Sequence, residues 1–197
     1  MKEGRLMIEI KNLTIPFVDK QINMTISKGY NLLVGDNGVG KTLLLDYISG
    51  LKKTKGNCIF GNEKIIYINQ HIYFSDRLSG MDFLKFSYGI DDNKNISSFF
   101  DLSDNIIERN DLNNLLKKQW GMLSGGEKRF LYVIILLSLD KDWYILDEPF
   151  ASIDKKRKLL LYKLINVKLA EGKGIILTTH EESEEVLSAI DTILEMG

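Results

Sequence analysis

The stretch Gly35-Asp36-Asn37-Gly38-Val39-Gly40-Lys41-Thr42 constrains the fold more than any other part of the chain. It fits G-x-x-x-x-G-K-[ST], and its flanks suit that pattern. Residues 30–34 form a short apolar run that reads as a buried strand, and residues 43–48 can form a helix packed on one side. Strand, glycine-rich turn and helix together build a cradle for phosphate. The glycines let backbone approach a polyphosphate with no Cβ in the way. Free N–H groups at the helix start, at the positive end of its dipole, favour an anion. Lys41 brings a full positive charge to the β/γ-phosphates, and the Thr42 hydroxyl can ligate Mg²⁺. The loop calls for a nucleotide but leaves open what its energy is used for.

The flanking pattern is that of an α/β chain. Residues 6–11 and 21–26 alternate apolar and polar, as half-buried strands do, and 13–17 continue the first with Pro16 near its end. These strands precede the loop and read as antiparallel. A short strand between glycines is expected over 56–62, and a β-branched and aromatic strand over 64–69. From residue 70 to about 121 the texture changes to Asp, Asn, Ser and aromatics. Short helical pieces are expected at 81–88, 96–100, 104–108 and 111–118, forming a small helical subdomain inserted in the main fold. A buried helix follows over 127–139 and a central, non-alternating strand over 142–146. An amphipathic helix over 154–170 carries Leu159, Leu160, Leu164, Ile165 and Val167, and Gly172 and Gly174 follow it. A buried strand at 175–178, a helix at 181–188 and a last strand at 191–195 complete a doubly wound sheet.

Two further segments carry chemistry. Residues 143–149 read Trp-Tyr-Ile-Leu-Asp-Glu-Pro, which puts Asp147 and Glu148 at the C-terminal end of a strand, where open α/β sheets bind ligands. Asp147 is positioned to hold Mg²⁺, and Glu148, pointing elsewhere, to poise an attacking water as general base. Leu123-Ser124-Gly125-Gly126-Glu127 places two glycines at a helix start. Ser124-x-x-Glu127 is also a capping box, and both readings can hold together, because a capped turn still presents N–H groups.

Bulk properties narrow the function classes. Net charge is −1 across 197 residues, so no global field attracts nucleic acid or an anionic membrane. The runs Lys52-Lys53-Thr54-Lys55 and Lys155-Lys156-Arg157-Lys158 read as solvated faces. Cys58 is the only cysteine, which excludes an internal disulfide. One cysteine and two histidines are too few for a structural zinc site. The longest apolar run, 131–137, is far short of the ~20 residues a membrane span needs.

Taken in order, Gly35 to Thr42, Gln70, Leu123 to Glu127, residues 145–149 and His180 resemble the ATP-binding cassette (ABC) ATPases over essentially the whole chain. The LSGGE block is the specific part. The resemblance implies an α/β P-loop NTPase (RecA-like) core with a mostly parallel sheet, an N-terminal antiparallel β-subdomain and an inserted α-helical subdomain. The core would take about 1–70 and 124–197, and the helical subdomain about 71–123. It implies ATP and Mg²⁺ as cofactors and two cassettes paired head to tail, as a homo- or heterodimer. Gly35 to Thr42 would hold the nucleotide in cis, and Leu123, Ser124, Gly125, Gly126 and Glu127 would meet it in trans. Thr42, Gln70 and Asp147 would serve the metal, and Lys41, Glu148 and His180 the chemistry. Asp154 matches the D-loop aspartate, with Ala151 where a serine is more usual. Phe17 is the candidate to stack on adenine, with Tyr30 as its rival. His71 matches no family role and reads as a surface or packing histidine.

The leading expectation is a hydrolytic transporter subunit, cytoplasmic and held at the membrane's inner face by a separate membrane-spanning permease. Partner docking is expected near 70–88, where Tyr73, Phe74, Phe83, Phe86 and Tyr88 cluster. The short C-terminal part leans toward export of a peptide or drug. The alternative is a soluble ABC ATPase acting on nucleic acid or ribosomes. Net charge near zero and the short interval between Gln70 and Leu123, without heptads, speak against it.

Overall fold

The computed structural model describes residues 7–16, 21–56, 58–62, 64–91, 95–104, 106–179 and 190–196. The chain divides into two compact units. The first takes residues 1–69, 141–148 and 168–197, and the second takes 70–140 and 149–167. Phe17, His180 and the helix expected over 181–188 lie outside the described residues.

The first unit holds two sheets. β1 (Met7–Thr14), β2 (Gln21–Ser27) and β4 (Ile59–Phe60) form an antiparallel sheet in the order β2-β1-β4. The segments expected at 6–11 and 13–17 meet in one strand, Met7–Thr14, irregular between Ile10 and Leu13; residues 15 and 16 lie beyond it, and residues 6 and 17 lie outside the described residues. Asn12 sits at that bulge with φ 51°, a left-handed conformation that asparagine tolerates, and its N–H donates to Asn23 Oδ1. The second sheet is wholly parallel: β3 (Gly29–Val34), β5 (Ile65–Ile68), β6 (Trp143–Asp147), β7 (Gly174–Thr178) and β8 (Thr192–Glu195), ordered β5-β6-β7-β3-β8. Every residue of β6 and β7 is buried, which is why their sequences are apolar without alternation. Leu44, Leu45 and Ile48 of α1 (Lys41–Ile48) share one core with Ile8, Ile10 and Trp143. Burying each such side chain contributes about 1.5–3 kcal/mol. Gly174 is required here, because a Cβ would stand 2.2 Å from the Trp143 ring.

The second unit is helical: α2 (Gly80–Ile90), α3 (Ser97–Asp104), α4 (Arg109–Lys117), α5 (Gly125–Ser138) and the larger part of α6 (Lys155–Ala170). Among the described residues no separate helix lies between α3 and α4. Instead the N–H groups of Ile106 and Ile107 both donate to the Ser103 carbonyl, closing α3, and Ile107 is buried. The four residues between α3 and α4 are too few to repay nucleation of a third helix. On α6 the buried residues are Leu161, Leu164, Ile165 and Lys168, while Leu159 is 40% exposed and lies off that face. Lys168 pairs there with Glu171 at 3.0 Å. Among the described residues no helix is long and apolar enough to cross a membrane.

Candidate nucleotide site

The loop between β3 and α1 has the backbone its sequence demands. Gly35, Gly38 and Gly40 have φ of 153°, 83° and 105°. A Cβ on Gly35 would meet the Met196 carbonyl at 2.5 Å, so no other residue fits there. The Val39 N–H donates to the Asp36 carbonyl at 3.3 Å, closing a turn whose exposed apex is Asn37 and Gly38. Gly40 is the N-cap of α1 and supplies no side-chain acceptor, and the first turn contains no acidic residue. The leading amides of α1 therefore receive no side-chain acceptor from the cap or the first turn, the arrangement in which a helix start can take an anion. Lys41 folds back over the loop, donating from Nζ to the carbonyls of Gly35 at 2.7 Å and Asp36 at 3.1 Å. Its charge thus sits within the cradle.

Four side chains meet at the end of β6. Asp147, 2% exposed, accepts at Oδ2 from the Thr42 hydroxyl (3.0 Å) and the Tyr67 hydroxyl (3.2 Å). Its Oδ1 accepts from the Thr178 hydroxyl. Burial, then the nearby Asp147 and Asp46 carboxylates, push the Tyr67 pKa far up, so it remains a donor. The glycine-loop hydroxyl and the strand-end acid are thus brought together. Hydroxyl, carboxylate and phosphate oxygens are the donor set of a hard cation that arrives with a nucleotide. Among the described residues no three His, Cys, Asp or Glu side chains gather to hold a metal by themselves. Tyr67 and Thr178 were legible only as strand residues, since neither belongs to a motif.

Glu148 follows with φ 51°, left-handed and unusual for a glutamate. Its N–H donates to the carbonyl and the hydroxyl of Thr178, both at 3.1 Å, which fixes the turn. The conformation costs about 1–2 kcal/mol. Strain of this kind concentrates where function requires a side chain to leave the strand direction.

Gln70, the Leu123–Glu127 turn and Asp154 belong to the second unit. Ser124 caps α5: its Oγ accepts from the Glu127 N–H at 3.2 Å, while its own N–H donates to Glu127 Oε2 at 2.9 Å. This hydrogen bond, more than the Lys118 and Arg157 charges, holds the Glu127 carboxyl below its usual range against a desolvation penalty. Leu123 is buried and anchors the turn. A Cβ on Gly126 would come 2.4 Å from the Ser152 carbonyl, so that glycine admits close approach of the loop before α6. A Cβ on Gly125 meets nothing within 4 Å. Asp154 accepts from the Arg157 N–H at 3.0 Å and from its Nη1 at 2.8 Å. Gln70 is exposed, and its carbonyl accepts from the buried Arg129 at 3.2 Å. Tyr30 is 2% exposed within β3 and is not available to stack on a base.

Of the aromatics at 73–88, Phe74 and Phe83 pack with Trp120 at centroid distances of 5.0–5.3 Å, and Tyr88 is buried. Tyr73, 90% exposed, and Phe86, 56% exposed, face outward, as does Ile90. His71 is exposed beside Tyr73.

Comparison with known proteins gives the same assignment. The ABC transporter family profile matches residues 20–151. The chain is 30% identical to "Cytochrome c biogenesis ATP-binding export protein CcmA" of Aliivibrio fischeri, covering 89% of this chain and 93% of that one. It is also 30% identical to "Zinc import ATP-binding protein ZnuC" of Wolbachia sp. subsp. Brugia malayi, over 91% and 76% of the two chains. A solved ATP-binding subunit of an ABC transporter superposes with a TM-score of 0.81 over 96% of this chain and 85% of that one. At 20% identity, that likeness speaks for the fold alone. The chain belongs to the ABC transporter family, as one of its ATP-binding ATPase cassettes.

Proposed function

We propose that this chain hydrolyses ATP as one half of a cassette dimer and passes the resulting closure and reopening to a separate membrane subunit that translocates a substrate. The observation that carries this reading is the Thr42–Asp147 contact at the base of an uncapped α1. Lys41 and the α1 amides bind and orient the phosphates, and Thr42 and Asp147 would hold Mg²⁺. The cation supplies charge neutralisation on the phosphate oxygens. Glu148 takes a proton from the attacking water. His180 would orient that water, Gln70 would report cation and γ-phosphate to the membrane partner, and Phe17 would stack on adenine. The open flank of Gly125 supports approach by the γ-phosphate of a second cassette, with Ser124, Gly126 and Asp154 alongside. The exposed Tyr73, Phe86 and Ile90 support docking of an apolar segment of the membrane subunit, which would hold the chain at the cytoplasmic face. The relatives carry both an export name and an import name, so the expectation of peptide or drug export draws no support from them.

The test is Glu148→Gln in the full chain with ATP and Mg²⁺. The variant keeps ATP binding, loses turnover by about 10²–10⁴-fold and elutes as an ATP-bound dimer in gel filtration. Turnover at the wild-type rate would overturn the assignment of the base. Ser124→Arg should likewise stop turnover with binding intact, and loss of binding would mean that the signature turn acts in cis.

A further inference from the structure

The cationic run at 155–158 is not one solvated face. Lys156 reaches Asp111 at 3.6 Å, whereas Arg157 turns inward. Its N–H and Nη1 hold both oxygens of Asp154, at 3.0 and 2.8 Å. Its Nη2 lies 3.7 Å from Glu127 Oε1, the carboxylate whose other oxygen caps α5 through the Ser124 N–H. The guanidinium lies over the buried Phe130 ring, 5.8 Å from its centroid. One side chain therefore touches the acid of the signature turn, the aspartate that starts α6, and the helix between them. The two loops also meet directly, since the Ser152 carbonyl would stand 2.4 Å from a Cβ on Gly126.

Stability alone gives a poor account of this cluster. Arg157 is 31% exposed and Asp154 51%, and ion pairs that exposed contribute about 0–1 kcal/mol. What a planar guanidinium offers is geometry: it can hold two carboxylates at a fixed separation, which a lysine ammonium cannot.

We propose that Arg157 is a positioning residue that locks the Ser124–Glu127 turn to the Asp154 loop, so that both meet a second cassette's nucleotide in one register. The proposal rests on the reading that the signature turn acts in trans. Lys41 and Thr42 are not part of the Arg157 cluster, so its loss changes turnover and spares the binding of ATP to a single chain.

The experiment measures steady-state ATPase of the full chain with Mg²⁺, at protein concentrations high enough for association. Arg157→Ala should lower kcat about tenfold or more. KM for ATP should stay within about twofold of wild type, with the thermal midpoint nearly unchanged. Arg157→Lys, which keeps the charge and loses the fork, should recover only a minor part of the rate. Asp154→Asn should lower kcat as well, and less than additively when combined with Arg157→Ala. Should Arg157→Ala not fold, Arg157→Gln carries the same test. Wild-type kcat in the Ala or Gln variant, a raised KM with unchanged kcat, or full recovery by lysine would each overturn the proposal. Lys41→Ala run in parallel separates the two levels. If it too hydrolyses at the wild-type rate, the functional reading of the site fails, independently of Arg157.

Discussion

Gly125 and Gly126 stand side by side in the signature turn, yet substitution to alanine should affect them in opposite ways. At Gly126 the new Cβ would lie 2.4 Å from the Ser152 carbonyl oxygen and 3.4 Å from its carbon. Real Cβ atoms essentially never come within 3.0 Å of such a neighbour, so the carbonyl must retreat by more than half an ångström. It has little freedom to do so, because Ser152 is already left-handed at φ 62°. Overpacking of this kind costs about 1–3 kcal/mol. At Gly125, the first residue of α5, the Cβ enters open space, and alanine in place of helical glycine adds between zero and about 1 kcal/mol. Urea unfolding of the two variants should therefore shift the midpoint down for Gly126→Ala and leave it unchanged or higher for Gly125→Ala. ATPase assays should reverse the apparent innocence of Gly125, because the open flank is where a phosphate would come close. Gly125→Ala should be stable and slow, losing about tenfold or more in turnover. A Gly125→Ala chain that is both stable and fully active would refute the argument that its glycine serves an external ligand. A Gly126→Ala chain as stable as wild type would refute the packing argument.

Three other outcomes can be checked alongside. Glu148→Gly should relieve the left-handed glutamate and raise stability by up to about 1 kcal/mol while abolishing turnover, read by urea midpoint and phosphate release on one preparation. Gly174→Ala drives a Cβ to 2.2 Å from the Trp143 ring at the centre of the parallel sheet, and should cost about 3 kcal/mol or leave the chain insoluble, measured by thermal melting. The Glu127 carboxyl sits below the ordinary glutamate value of 4.5 in the folded chain, so its contribution is complete above pH 4.5 and is lost as pH falls through the depressed folded value. Glu127→Gln keeps an acceptor for the Ser124 N–H but does not titrate. The stability gap between wild type and this variant should shrink on acidification from pH 6 to pH 3, and a gap independent of pH would mean that the charge is not involved.

What could be read from the sequence was what lies close together along it. The glycine loop, the capping box and the strand-end acids are each specified within eight residues, and the conformations of Gly35, Gly40 and Ser124 follow from their neighbours. Strand identity at β6 and β7 was legible for the same reason, since burial on both faces demands unbroken apolar residues. The surroundings of Asp147 were not. Its hydroxyl partners come from α1, β5 and β7, and only the parallel registers Tyr67↔Ile145 and Asp147↔Thr178 bring them together. Nothing local distinguishes Tyr67 or Thr178 from any other strand residue. Arg157 was misread for a related reason. A run of cations shows its charge but not its partners, and the acids that select Arg157 over Lys156 lie on different elements. Leu159 shows the reverse case, an apolar residue counted with the helix face that the packing of Leu161, Leu164 and Ile165 leaves outside.

The two helix starts that carry the expected nucleotide contacts are built differently, and the difference bears on how the cassette would use ATP. α1 begins at a glycine with no capping side chain and no acid in its first turn. The cap gives its leading amides no side-chain acceptor, a bound polyphosphate would supply one, and ATP bound there would stabilise the first unit by mass action, by about 2.7 kcal/mol at a hundred times Kd. α5 begins at Ser124 with a complete capping box, and Glu127 is tied further to Lys118 and Arg157. That turn is already satisfied and has little to gain from a ligand in order to fold. A γ-phosphate reaching it would meet a surface arranged in advance, which is the condition under which hydrogen-bond donors assist a transition state instead of merely binding a ground state. On that reading ATP would order the P-loop side, and the signature side would wait in its final shape.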